Sequence, residues 1–111
     1  MDPVMHDLTL LTTWLMNEAA VEPSGRVVKP LDAFGDRVRV VGIGLAAGGT
    51  LPEHDNPGDA TLQVLAGSVT LFADGHEFPL AAGRLMPIPQ ARHRVEAHEA
   101  SALLLTQVPR G

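Results

Sequence analysis

The sequence predicts an all-β fold, a jelly-roll barrel of eight or nine strands preceded by one short helix. Three observations lead there. From residue 26 onward the chain is a series of short apolar or alternating runs, divided by turn signals at near-regular spacing. Before residue 25 the apolar residues instead recur with helical period. The 11 Gly and 9 Pro fall singly or in pairs between the runs, which marks turns rather than disorder.

The elements follow in order. Asp7 is a helix N-cap, and D-L-T-L-L-T-T-W-L-M-N-E-A-A reads as the helix. Leu8, Leu11, Leu15 and Ala19 form its apolar stripe, with Leu10 and Trp14 beside it. The plain reading is a helix lying on the outside of the domain; the alternative is a partner-binding helix. Glu22-Pro23-Ser24-Gly25 ends it. R-V-V-K-P-L is the first strand and Ala33-Phe34-Gly35-Asp36 a turn. R-V-R-V-V-G-I-G-L follows, with Val38, Val40 and Gly42 on one face and Val41, Ile43 and Leu45 on the other. Then come T-L-P-E-H, A-T-L-Q-V-L-A, S-V-T-L-F-A, H-E-F-P-L, R-L-M-P-I, H-R-V-E-A and S-A-L-L-L-T-Q-V. Asp74-Gly75 is a strong hairpin signal, because its turn type needs positive φ. The division is an N-terminal segment with the helix over 1–25 and a barrel over 26–111.

Length sets one domain with a modest core, 111 residues in all. The formal net charge of −5 argues against a nucleic-acid partner, and 4% aromatics without Tyr leave no stacking platform. Arg84, Arg92 and Arg94 are only a small basic group. Cysteine is absent, which removes disulfides, thiolate metal sites and a cysteine nucleophile. The start lacks the basic region of a signal peptide and no run approaches a membrane span. The expectation is a cytoplasmic protein with no membrane partner. There is no Gly-x-Ser-x-Gly elbow, phosphate loop or dinucleotide fingerprint.

The chain is organised around Gly48 to Gly67, G-G-T-L-P-E-H-D-N-P-G-D-A-T-L-Q-V-L-A-G, with a second His in I-P-Q-A-R-H-R-V. A His-x-His pair before a tight corner, a carboxylate on the next strand and a later His would point a divalent metal site into a barrel. The frame of that arrangement is here: Gly48, His54, Asn56, Ala60 and Gly67, then Gly83, Pro89, Ala91 and His93. On these motifs the chain resembles the cupin superfamily over roughly residues 26–108, and within it the small single-domain bacterial cupins. The resemblance implies a double-stranded β-helix of the RmlC-like type. It departs from the pattern at two ligand positions, where Asn56 replaces the second His and Ala60 the Glu. The second motif is one residue shorter before His93.

His54 and His93 are the candidate metal ligands, and also the polar anchors of an apolar ligand pocket, where a ligand carbonyl or carboxylate could hydrogen-bond. The plain reading of each is a hydrogen-bonded barrel histidine. Asn56 is a candidate ligand-binding residue through its amide, though turn geometry before Pro57-Gly58 explains it as well. Asp59 stands next to the expected Glu and would face inward only after a one-residue shift in the corner. Leu62 and Val64, with Leu85 and Ile88, are the expected apolar lining. Gln63, on the opposite face, His76, His98 and His6 fall outside the site.

Three functions compete. The first is a barrel that binds a small molecule without catalysis. The second is a metal-dependent oxygenase or isomerase using His54 and His93 with water, joined by Asp59 if the corner shifts by one residue. The third is a filled barrel with an interaction role. The residues alone require no cofactor. The cupin resemblance implies a divalent metal (Fe, Zn, Mn or Ni), and so reduced a donor set would hold it weakly. A homodimer is also expected: Val41, Ile43 and Leu45, with Leu103 and Leu105, would leave apolar strand faces uncovered, and the resemblance implies association through such faces.

Overall fold

The structure is a computed structural model, and it describes residues 4–31, 34–55 and 58–109. Ala33 of the first expected turn and Asn56-Pro57 of the corner lie outside the described residues. Asp7 caps helix α1 (Leu8–Val21), its carboxylate accepting from the backbone N–H groups of Thr9 and Leu10 at 2.9 and 3.1 Å. Nine strands follow: β1 (Arg26–Leu31), β2 (Arg39–Leu45), β3 (Thr50–His54), β4 (Gly58–Ala66), β5 (Ser68–Ala73), β6 (His76–Ala81), β7 (Leu85–Pro87), β8 (His93–Ala97) and β9 (Ser101–Pro109).

They form two antiparallel sheets, β1-β2-β9-β4-β7 and β3-β8-β5-β6. Consecutive strands often lie in different sheets, as in a jelly roll. The expected hairpin joins β5 to β6, with Ala73 opposite His76 and both turn residues at positive φ, Asp74 at 51° and Gly75 at 74°.

Alternation along each strand sends one set of side chains between the sheets. Ile43, Leu45, Leu62, Val64, Val69, Leu71, Leu80, Val95 and Leu103 form that core, and Val41 and Leu105 pack against it. This corrects the expectation of an uncovered apolar face on β2 and β9. Val41, Ile43 and Leu45 point inward because the facing sheet covers them, so they are not available to a dimer.

The outer face of β2 is covered differently. Helix α1 lies across it and buries Leu11 and Leu15 against Leu31, Val40 and Ala102. Leu8, Leu10 and Trp14 stay exposed. The glycines of R-V-V-G-I-G-L are what admit the helix. A Cβ on Gly44 would fall on the carbonyl oxygen of Leu15, and one on Gly42 would sit 3.1 Å from the Leu15 side chain. Lys29 on β1 places its ammonium over the Trp14 ring, 5.0 Å from the centroid. Among the described residues no helix is long and apolar enough to cross a membrane.

Candidate functional site

The two motif histidines meet because β3 pairs with β8 and His54 lies opposite His93. Simple alternation would not have placed them so. Leu51 pairs with Val95, and a regular antiparallel ladder from there would set residue 53 opposite residue 93. The register shifts between Leu51 and His54 instead, so β3 carries one extra residue. Pro52 sits inside this bulge, where its missing N–H does no harm. A bulge re-aims the side chains after it. Leu51 and His54 therefore face the same cavity, while Glu53 points out and pairs with Arg92 at 2.8 Å. On β8, His93, Val95 and Ala97 are buried and Arg94 and Glu96 alternate outward. The loop before β8 is tied to β4, with the Ile88 N–H donating to the Ala60 carbonyl and the Gln90 amide to the Gly58 carbonyl, at 2.8 and 2.7 Å.

The imidazoles pack edge to face, with centroids 4.2 Å apart and planes at 64°. Each makes the same local hydrogen bond. His54 Nδ1 meets the Pro52 carbonyl at 2.8 Å, and His93 Nδ1 meets the Ala91 carbonyl at 3.0 Å. A carbonyl oxygen only accepts, so each Nδ1 carries the proton and donates. A neutral ring then presents Nε2 as a bare lone pair. Neither Nε2 has a hydrogen-bond partner among the described residues. No buried side-chain nitrogen or oxygen there lacks a partner, so these nitrogens are open to the cavity or to water. Burial pushes the His93 pKa below its usual value. The Ala91 bond works against that, the neighbouring His54 adds to it, and the Asp55 carboxylate opposes it weakly.

The rings line an apolar cavity of about 220 Å³ between the sheets. Its other walls among the described residues are Val28, Val41, Ile43, Leu51, Leu62, Ile88, Val95 and Leu105, with Gln107 as a further polar side chain. The Gln107 carboxamide has no hydrogen-bond partner among the described residues. A recess of about 30 Å³ adjoins the histidines, bounded by Asp55 and Ala60.

Of the residues expected in the site, His54, His93, Leu62 and Ile88 are brought together here. Asn56 lies outside the described residues. Val64 is a fully buried core residue and is not on the wall of this cavity. Leu85 is 63% exposed. It pairs with Gln63 in the β4–β7 ladder and shares its outward face. Asp59 is exposed, since regular alternation turns Ala60, Leu62 and Val64 inward and Asp59 out; no shift in the corner rescues it. The carboxylate beside the histidines is that of Asp55, at the rim of the recess and 3.7 Å from Arg92. His76 and His98 are exposed, as expected, with His98 bonded to Thr70. Gln107, Leu105, Val95, Leu51, Ile43, Val41 and Val28 also line the cavity and were not among the expected residues. Parity on β2 would have flagged Val41 and Ile43, but nothing local marks the others.

The donor set does not fit the three-ligand metal centre that the cupin resemblance implies. Ala60 offers only a methyl group, Asp59 points away, and the rings pack on one another. Among the described residues no three His, Cys, Asp or Glu side chains group to hold an ion.

Comparison with solved structures places the fold. A conserved protein of unknown function from Streptococcus pyogenes superposes with a TM-score of 0.73 at 22% identity, over 100% of this chain and 91% of that one. An RmlC-like cupin from Desulfovibrio desulfuricans gives 0.70 at 24% identity, over 79% and 86%. An oxalate oxidase in complex with glycolate gives 0.67 at 18% identity, over 82% and 54%. The chain thus has the cupin fold. No protein-family model matches the sequence, and no curated protein matches it. A shared barrel does not fix the chemistry.

Proposed function

We propose that the protein binds a small organic molecule in the cavity between its two sheets, without a resident metal centre. The observation that carries this reading is the cavity itself. Protein interiors are normally packed to crystal-like density with few voids larger than a water molecule. An apolar space of about 220 Å³ with two imidazoles and one carboxamide on its wall has the composition of a ligand site: an apolar body with a few placed polar groups. A barrel filled for stability alone would not hold it open. The test is a nuclear magnetic resonance titration with small aromatic fragments. Binding should perturb the methyl groups of Leu62, Ile88, Val95 and Leu105, and Leu105→Trp, which fills the space, should abolish the effect. Perturbations confined to the helix or the β5–β6 hairpin would place the site elsewhere.

The second reading is a metal-dependent enzyme, an oxygenase or isomerase, with Fe, Zn, Mn or Ni held weakly. The two unpartnered Nε2 atoms favour it; the missing carboxylate opposes it. Metal analysis separates the two. After dialysis the wild type should hold well under one divalent ion per chain, while Ala60→Glu, which restores a carboxylate beside His54 and His93, should raise the metal content. One tightly bound ion per wild-type chain would favour the enzyme.

We also propose that the protein is a homodimer. The expected strand faces are buried, so the support moves to helix α1, where Leu10 and Trp14, one turn apart, are exposed, with Val21 at the C-terminal end.

A further inference from the structure

We infer that the ligand of the cavity is a neutral molecule that donates a hydrogen bond, an alcohol or a phenol on a compact apolar body, rather than a carboxylate. This rests on the binding reading above and narrows it. The reason is the shared bonding of the two rings. His54 Nδ1 is committed to the Pro52 carbonyl and His93 Nδ1 to the Ala91 carbonyl. The only unused nitrogen on each neutral ring is Nε2, and it can only accept. A ligand carbonyl or carboxylate brought to these atoms would meet lone pair with lone pair. A ligand O–H would satisfy one Nε2 directly. Gln107 supplies both a donor and an acceptor, so the ligand oxygen need not be left without a donor of its own.

Charge points the same way. The Asp55 carboxylate lies at the rim of the adjoining recess, which disfavours an anion. Arg92 is already held by Glu53 and Asp55 at 2.8 and 3.7 Å on the outer side. Among the described residues no guanidinium or ammonium lines the cavity. A buried carboxylate would therefore lose its hydration without gaining an opposite charge. The size of the body follows from volume. An apolar cavity of roughly 150 Å³ accepts benzene, so about 220 Å³ suits a ring with a short substituent.

Three isosteric probes separate the possibilities. 1-Phenylethanol donates and accepts, acetophenone only accepts, and benzoate is anionic. All have the same number of heavy atoms. Binding to the wild-type protein at pH 8 is followed by chemical-shift titration, including the imidazole nitrogens. The alcohol should bind about three- to tenfold more tightly than the ketone, as one net hydrogen bond gives. It should move the Nε2 resonance of His54 or His93, and benzoate should be the weakest of the three. A ketone or carboxylate that binds as well as the alcohol would overturn the inference and leave the binding reading standing. Failure of all three to perturb the cavity would overturn both.

Discussion

Two hydrogen bonds between a ring and a carbonyl two residues back decide what the barrel mouth offers. They hold His54 and His93 as acceptors, and Ala60 removes the carboxylate that would make them part of a metal centre. His93 also leaves a signature in stability. Its folded pKa lies below the usual value of 6.5 because burial opposes the charged ring. Between that lowered value and 6.5 the unfolded chain binds more protons than the folded one, so stability rises with pH across the window. The contribution is complete above 6.5 and is lost as pH falls toward the lowered value. The slope from a single proton is at most about 1.4 kcal/mol per pH unit. Urea midpoints measured across this range should therefore fall more steeply with acid for the wild type than for His93→Gln. Parallel curves would mean that His93 is not buried as a neutral ring. At this scale the sequence was only partly legible. His54 and His93 stood out by spacing, but Asp59, Val64 and Leu85 were assigned to the site and Asp55 and Gln107 were not. Which residue of a strand faces a cavity depends on register, and an approach from a distant strand such as β9 leaves no local sign.

At the level of elements, legibility was far better. The strand runs read from alternation and turns match β1, β3, β5 and β8 at both ends, because apolar patterning and Gly or Pro punctuation act locally. The bulge in β3 escaped, since a single inserted residue breaks no pattern in T-L-P-E-H. So did the purpose of the paired glycines in β2, which becomes visible only with α1 resting on them. Gly44→Ala tests that packing. Its methyl group would collide with the Leu15 carbonyl oxygen, backbone that cannot step aside without moving the helix. Overpacking of this kind costs about 1–3 kcal/mol. A urea midpoint lowered accordingly, with the slope unchanged, is the expected outcome. A neutral effect would show that α1 sits further from β2.

For the whole molecule, the helix takes over one outer sheet face and the second sheet takes the inner one, which leaves Leu10 and Trp14 exposed on α1 as the surface through which the proposed dimer would associate. The edge strand β1 is poorly suited to extend the sheet, since Pro30 lacks an N–H and Lys29 is charged and turned to Trp14. Association through the helix predicts a dimer by sedimentation at high micromolar concentration, and Leu10→Glu should shift it to monomer without lowering the unfolding midpoint, because Leu10 is already 70% exposed. A wild-type monomer under those conditions would contradict it.

What the cavity can bind turns on the state of two rings, so the most direct test is a long-range proton–nitrogen spectrum of the imidazoles at pH 8, recorded before and after treatment with chelator. We predict that His54 and His93 are both neutral, with the proton on Nδ1 and a bare Nε2, and that the chelator changes neither. A proton on Nε2 in either ring, or a nitrogen pair whose resonances move when metal is stripped away, would contradict the account.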